Sequence, residues 1–151
     1  MKKILLLLLA TVYSSCALAA DWKCINRNND VYVFIEVSSI KKPSESTRVV
    51  WEEYVSSDAS MKNNIKTSIK KTEYYCKDGT SQLLASVNYS RDKSVASSTT
   101  TKGEIEDIIP GSFGEATLNY VCNGKKPPLF VSVPDDPTDA ANRAFASSFQ
   151  P

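Results

Sequence analysis

The segment Val31-Tyr32-Val33-Phe34-Ile35-Glu36-Val37 leaves the chain little choice of local structure. Val31, Val33, Ile35 and Val37 fall on one side of a pleat; Tyr32, Phe34 and Glu36 fall on the other. β-Branched and aromatic residues alternating in this way specify a strand, because successive side chains of an extended chain point to opposite faces. Asn28-Asn29-Asp30 in front is turn chemistry, so Trp22 to Arg27 is expected as the preceding strand of a hairpin. The polar stretch Lys41 to Ser46 makes the next turn. Thr47 to Val55 is a second firm strand, with Val49, Trp51 and Val55 on one face. Ser57 to Asn63 reads as a loop. Ile65 to Tyr75 is a longer strand, closed by an Asp78-Gly79 turn. Leu83, Ala85, Val87 and Tyr89 alternate again, and Arg91-Asp92-Lys93 turns into a weaker strand near Ser94 to Thr101. Successive strands on short turns predict an antiparallel meander rather than βαβ units.

The period changes after Ile108-Ile109-Pro110-Gly111. Ser112 and Glu115 have capping-box spacing. The serine hydroxyl can accept from the Glu115 N–H, and the carboxylate can reach back to the Ser112 N–H. Phe113, Ala116, Thr117, Tyr120 and Val121 then follow helical spacing, and Asn123-Gly124 supplies the stop. A helix of about three turns is marginal alone in water, so it must pack on the sheet. The expected fold is therefore mainly β (α+β): an antiparallel meander carrying a C-terminal α-helix. From Lys125 to Pro151 the chain is proline-rich, with Pro127, Pro128, Pro134 and Pro137. Asp136 and Pro137 look like a helix start, and Ala140, Ala141, Ala144, Phe145 and Phe149 give a weak apolar stripe: a second short helix or a frayed tail.

The first 20 residues read as a secretion leader. Lys2 and Lys3 precede an apolar run from Ile4 to Val12, and small residues lead to cleavage after Ala19 or Ala20. The run is about half of the roughly 20 residues that span a bilayer. Tyr13-Ser14-Ser15-Cys16 faintly resembles a lipoprotein box, which would lipidate Cys16, but Ala17-Leu18-Ala19 is the better substrate for ordinary cleavage. Three regions follow: leader 1–20, domain 21–124 and tail 125–151. The location expected is the periplasm, cell surface or medium. Losing Lys2 and Lys3 takes the formal net charge from +1 to −1, so no general attraction to nucleic acid is expected. Nothing after the leader is apolar enough to span a membrane.

Of the four cysteines, Cys24, Cys76 and Cys122 outlast the leader into an oxidising compartment, giving one bridge and one leftover thiol. Three pairings are open. A Cys76–Cys122 bridge would tie helix to sheet across a loop of roughly 45 residues, worth on the order of 4 kcal/mol.

The chemical inventory argues against catalysis. There is no histidine, so triads and the commonest general base are missing. No CxxC pair, phosphate loop or dinucleotide fingerprint occurs, so no metal or cofactor is expected. Glu52, Glu53, Glu104, Glu106 and Asp107 could supply a glycosidase-like carboxylate pair, but ordinary solvated charge is the plainer expectation. Lys62, Lys66, Lys70 and Lys71 concentrate on one unit, and period two puts Lys66 and Lys70 on one face. Lys66, Lys70 and Lys71 form a possible ligand strip for an acidic partner, against the simpler reading of a solvated or aggregation-blocking strand. Tyr74 and Tyr75 read as sheet packing.

Trp22, VYVFIEVSSIKK, VVWEEYVS, the strand closing on EYYC, and IIPGSFGEATLNYVC form an ordered set. Over roughly Asp21 to Cys122 this set resembles the surface-adhesin protein E family of Gram-negative bacteria. The resemblance implies an antiparallel sheet with a helix tethered by a disulfide, here Cys76–Cys122. It also implies an adhesin-like activity toward host extracellular-matrix glycoproteins such as vitronectin and laminin, or plasminogen. Two departures stand out. Glu104-Ile105-Glu106 replaces a tryptophan common before the IxPxS motif, and Cys24 is extra, either a buried thiol or the link of a disulfide-bonded homodimer. Other function classes are an inhibitor of a host hydrolase such as lysozyme, working through Ser57 to Asn63, and a structural envelope component.

Overall fold

The structure is a computed structural model and describes residues 20–134 and 136–147. The leader expected at 1–20, with Cys16, lies outside the described residues except for Ala20; Phe149 also lies outside. Strands run Trp22–Arg27 (β1), Val31–Ser44 (β2), Thr47–Ser56 (β3), Ile65–Tyr75 (β4), Thr80–Ser90 (β5), Val95–Thr99 (β6) and Ile105–Asp107 (β7). Helix α1, Phe113–Asn123, precedes β8, Val131–Val133, and helix α2, Pro137–Ser147.

Among the described residues one antiparallel sheet holds all eight strands in the order β6-β5-β4-β3-β2-β1-β8, with β7 also pairing β5. From β1 to β6 each strand lies beside its neighbour in sequence, which is the meander the alternating segments predict. The short β7 and β8 carry too little pattern to be read from sequence. β7 is a three-residue exposed strand, and β8 brings the segment after Gly124 back along β1, pairing Cys24 with Val131.

Both faces of the central strands are apolar, and a helix covers each. On one face Ile25, Val33, Ile35, Val50 and Tyr74 meet Val121 of α1. On the other Cys24, Tyr32, Phe34 and Val55 meet Ala141 of α2, with Phe145 packed edge-on against Tyr32. The alternation of β2 therefore feeds two cores, one per face.

Helix α1 starts and stops where its sequence dictates. Ser112 Oγ accepts from Glu115 N–H at 3.2 Å. The reciprocal half of the box differs: the Glu115 carboxylate accepts from Gly111 N–H at 2.7 Å, because Ser112 N–H is already committed to the Ile109 carbonyl. At the far end Gly124 takes φ +66°, a left-handed conformation that costs glycine nothing. Its N–H bonds the Tyr120 carbonyl while Lys125 N–H bonds that of Asn119. Cys122, in the last turn, bonds covalently to Cys76 just past β4, with 5.5 Å between Cα atoms and a sequence separation of 46.

Closing so long a loop restricts the unfolded chain. Replacing Cys76 and Cys122 together by serine is expected to lower stability by about 3 kcal/mol, measured by urea unfolding. A loss below about 1 kcal/mol would show that packing alone holds α1.

Candidate functional site

Adjacent glutamates on β3 set up two different environments, because neighbouring residues of a strand face opposite ways. Glu52 points under α1 and is 1% exposed. Its Oε1 accepts from Tyr74 OH at 2.8 Å, Thr117 Oγ1 at 2.9 Å and Tyr54 OH at 3.3 Å; its Oε2 accepts from Thr72 Oγ1 at 2.7 Å. Burial, then the charge of Glu52, pushes the phenols of Tyr54 and Tyr74 well above their usual range, so both stay protonated and donate. Four hydroxyls from β3, β4 and α1 thus satisfy one buried carboxylate.

Glu53 points the other way, under α2, and is 4% exposed. It accepts from Thr138 Oγ1 at 2.8 Å; Thr138 in turn lies 2.9 Å from Thr67 Oγ1. Burial pushes its carboxyl up to about 7; the Thr138 bond opposes this and the charge of Asp136 adds to it. Glu53 lines a groove of about 660 Å³ between α2 and the β4–β5 part of the sheet. Ile69 of β4, Tyr89 of β5 and Phe145 of α2 give it apolar walls. At its rim Asp58 holds Lys66 at 3.0 Å and Arg91 at 3.4 Å, and Asp139 holds Lys93 at 3.3 Å.

The expectation that Glu52 and Glu53 are solvated charges is therefore overturned: both are buried, because helices cover both faces of β3. Glu104, Glu106 and Asp107 are exposed, on or just before the edge strand β7. Glu52 and Glu53 face opposite sides of the sheet and do not pair with each other.

The structure does not bring Lys66, Lys70 and Lys71 into a strip. Lys66 is 6% exposed, paired with Asp58 and 5.5 Å from the Phe145 ring centre on the α2 side. A register shift at Ile65/Thr67 breaks the simple alternation there. Lys70 lies 4.4 Å over the Tyr54 ring on the α1 side, and Lys71 lies 5.9 Å over Trp51 on the opposite face. Lys62 is exposed in the preceding loop. Tyr74 is core, as expected, while Tyr75 is only partly buried. The Ser57 to Asn63 loop is stitched down: Ser57 N–H and Ser60 Oγ both donate to the Asp30 carbonyl.

Cys24 is 6% exposed in the α2-side core, and burial pushes its thiol up to about 11. It packs with Phe34, Val55 and Ala141 of α2, and its strand pairs with β8. The sequence signal for the groove was the carboxylate pair Glu52-Glu53 inside an otherwise apolar strand. Its partners Asp136 and Thr138 lay in the proline-rich segment and gave no warning.

The family model for surface-adhesin protein E matches residues 22–123, spanning β1 to the end of α1. The chain belongs to the surface-adhesin protein E family. Residues 125–147, which form β8 and α2, follow the matched region of this adhesin domain. No curated protein and no solved structure matches the chain. Among the described residues no helix is long and apolar enough to cross a membrane.

Glu53 links stability to pH. The unfolded chain gives up this proton near 4.5 and the native chain near 7, so between these values the native state holds a proton that the unfolded state has lost. Stability is expected to fall by up to about 3 kcal/mol as pH rises through that window and then to level off. Urea midpoints at about pH 5 and pH 8 check this. In Glu53→Gln the group's share of the drop vanishes; an unchanged pH slope in the variant would place the linkage elsewhere.

Proposed function

We propose that this chain is an exported, non-enzymatic binding protein that works as an adhesin-like module. Its proposed ligands are host extracellular-matrix glycoproteins of the vitronectin and laminin type, or plasminogen. Membership of the surface-adhesin protein E family carries the reading. The carboxylates support it, since one is saturated by hydroxyls and its neighbour faces away, leaving no acid–base pair.

Of the candidate ligand lysines, Lys70 and Lys71 remain partly exposed, one on each face, while Lys66 is committed to Asp58. Contact with an acidic partner therefore falls to Lys70 or Lys71 separately. Among the described residues the outer edges of β6 and β7, both exposed, pair with no further strand and offer a second kind of contact through their backbone groups.

Binding of the purified, disulfide-bonded protein to immobilised vitronectin, laminin and plasminogen tests the proposal, beside a reduced and alkylated control. Saturable binding that requires the disulfide is expected. If a lysine face contributes, affinity falls with salt, and either Lys70→Ala or Lys71→Ala weakens it several-fold. Absence of binding to all three ligands at low salt would overturn the proposed ligand class.

A further inference from the structure

The groove under α2 holds an imbalance that its own residues do not resolve. Lys66 and Arg91 are spent on Asp58, and Lys93 on Asp139. Among the described residues Glu53 and Asp136 have no such cation, and Glu53 receives a single hydrogen bond, although a carboxylate has about four acceptor sites. Asp136 accepts from Asp139 N–H at 3.1 Å at the start of α2. The charge of Asp136 acts on Glu53, and both residues line one groove with apolar walls. A buried acid in that position is relieved either by keeping its proton or by receiving a cation.

The volume says what kind of cation. About 660 Å³ is far more than a desolvated metal ion occupies, and lies within the range of about 300–1,000 Å³ of small-molecule sites. Ile69, Tyr89 and Phe145 give an apolar body something to pack on, and aromatic faces also attract an ammonium group. We infer that this groove binds a small amphipathic organic cation, with its ammonium group at Glu53 and Asp136 and its apolar body against Ile69, Tyr89 and Phe145. The site depends on α2, which lies beyond the part of the chain matched to the adhesin family. A protein partner on the outer surface and a small cation in this groove are separate properties, and either can fail alone.

The groups facing Glu53 fix the pH dependence. Lining the groove with it are Thr67 and Lys66 from β4, Asp58 from the loop after β3, Tyr89 of β5, Arg91 and Lys93 after β5, and Asp136 and Thr138 at α2. Of these charges, the cations are already paired, so the change in the groove near neutral pH is the ionisation of Glu53. An ammonium ligand prefers the ionised form, so binding tightens as pH rises and proton release accompanies it.

Phenethylamine and hydrocinnamate carry the same phenethyl body with opposite charge. Titration of each into the disulfide-bonded protein, followed by backbone amide shifts at Thr67, Ile69, Tyr89 and Phe145, tests the inference. The amine is expected to shift these signals saturably, about tenfold more tightly at pH 8 than at pH 6, as an acid titrating near 7 dictates. The carboxylate is expected to bind far more weakly. Glu53→Gln keeps an acceptor for Thr138 and should flatten the pH dependence. Asp136→Asn keeps a good helix cap and should weaken the amine several-fold. Equal response to both probes, no saturable response to the amine, or unchanged amine affinity in Glu53→Gln at pH 8 would overturn the assignment.

Discussion

A sheet whose central strands are apolar on both faces cannot be stable with one face in water. β2 imposes this condition: Val33 and Ile35 lie in one core, Tyr32 and Phe34 in the other. Burying a large apolar side chain contributes roughly 1.5–3 kcal/mol, so each face needs a cover, and each helix is too short to persist unless it supplies one. The two covers are held differently. α1 is anchored covalently through Cys122 and by Thr117 on the Glu52 carboxylate. α2 has no covalent tie among the described residues. It rests on Ala141, Phe145 and a hydroxyl chain from Thr67 through Thr138 to Glu53.

That difference explains why two neighbouring glutamates behave so unlike each other. Glu52 sits where strands and helix supply four hydroxyl donors, and a carboxylate so satisfied is part of the structure. Glu53 sits one residue on, against a helix that offers one hydroxyl and a second acid. Its environment favours the proton over the charge. The pH response of Glu53 therefore lies on the α2 side, while Glu52 is built into the packing under α1.

The family match ends with α1, while β8 and α2 follow it. β8 extends the sheet beyond β1, and α2 closes the second face, burying Cys24. Here burial keeps it as a thiol of high pKa, so the C-terminal segment both completes the core and shelters the unpaired sulfur.

The sequence by itself determined the meander, because period-two alternation and turn residues act locally, in Val31 to Val37 and Thr47 to Val55 alike. It also determined α1, through Ser112 and Gly124, whose capping effects reach only a few residues. The resemblance to protein E, rather than spacing, selected Cys76 and Cys122 as the bridge. Only the tertiary structure decided which charges are buried. Glu52, Glu53 and Lys66 look like surface residues until both helices are laid on the sheet, and a register shift at Lys66 separates it from Lys70. The groove, too, is tertiary: Glu53 and Thr138 stand 85 residues apart in the chain. Alternation gives the side on which a residue points, but only the packed fold gives what it meets there.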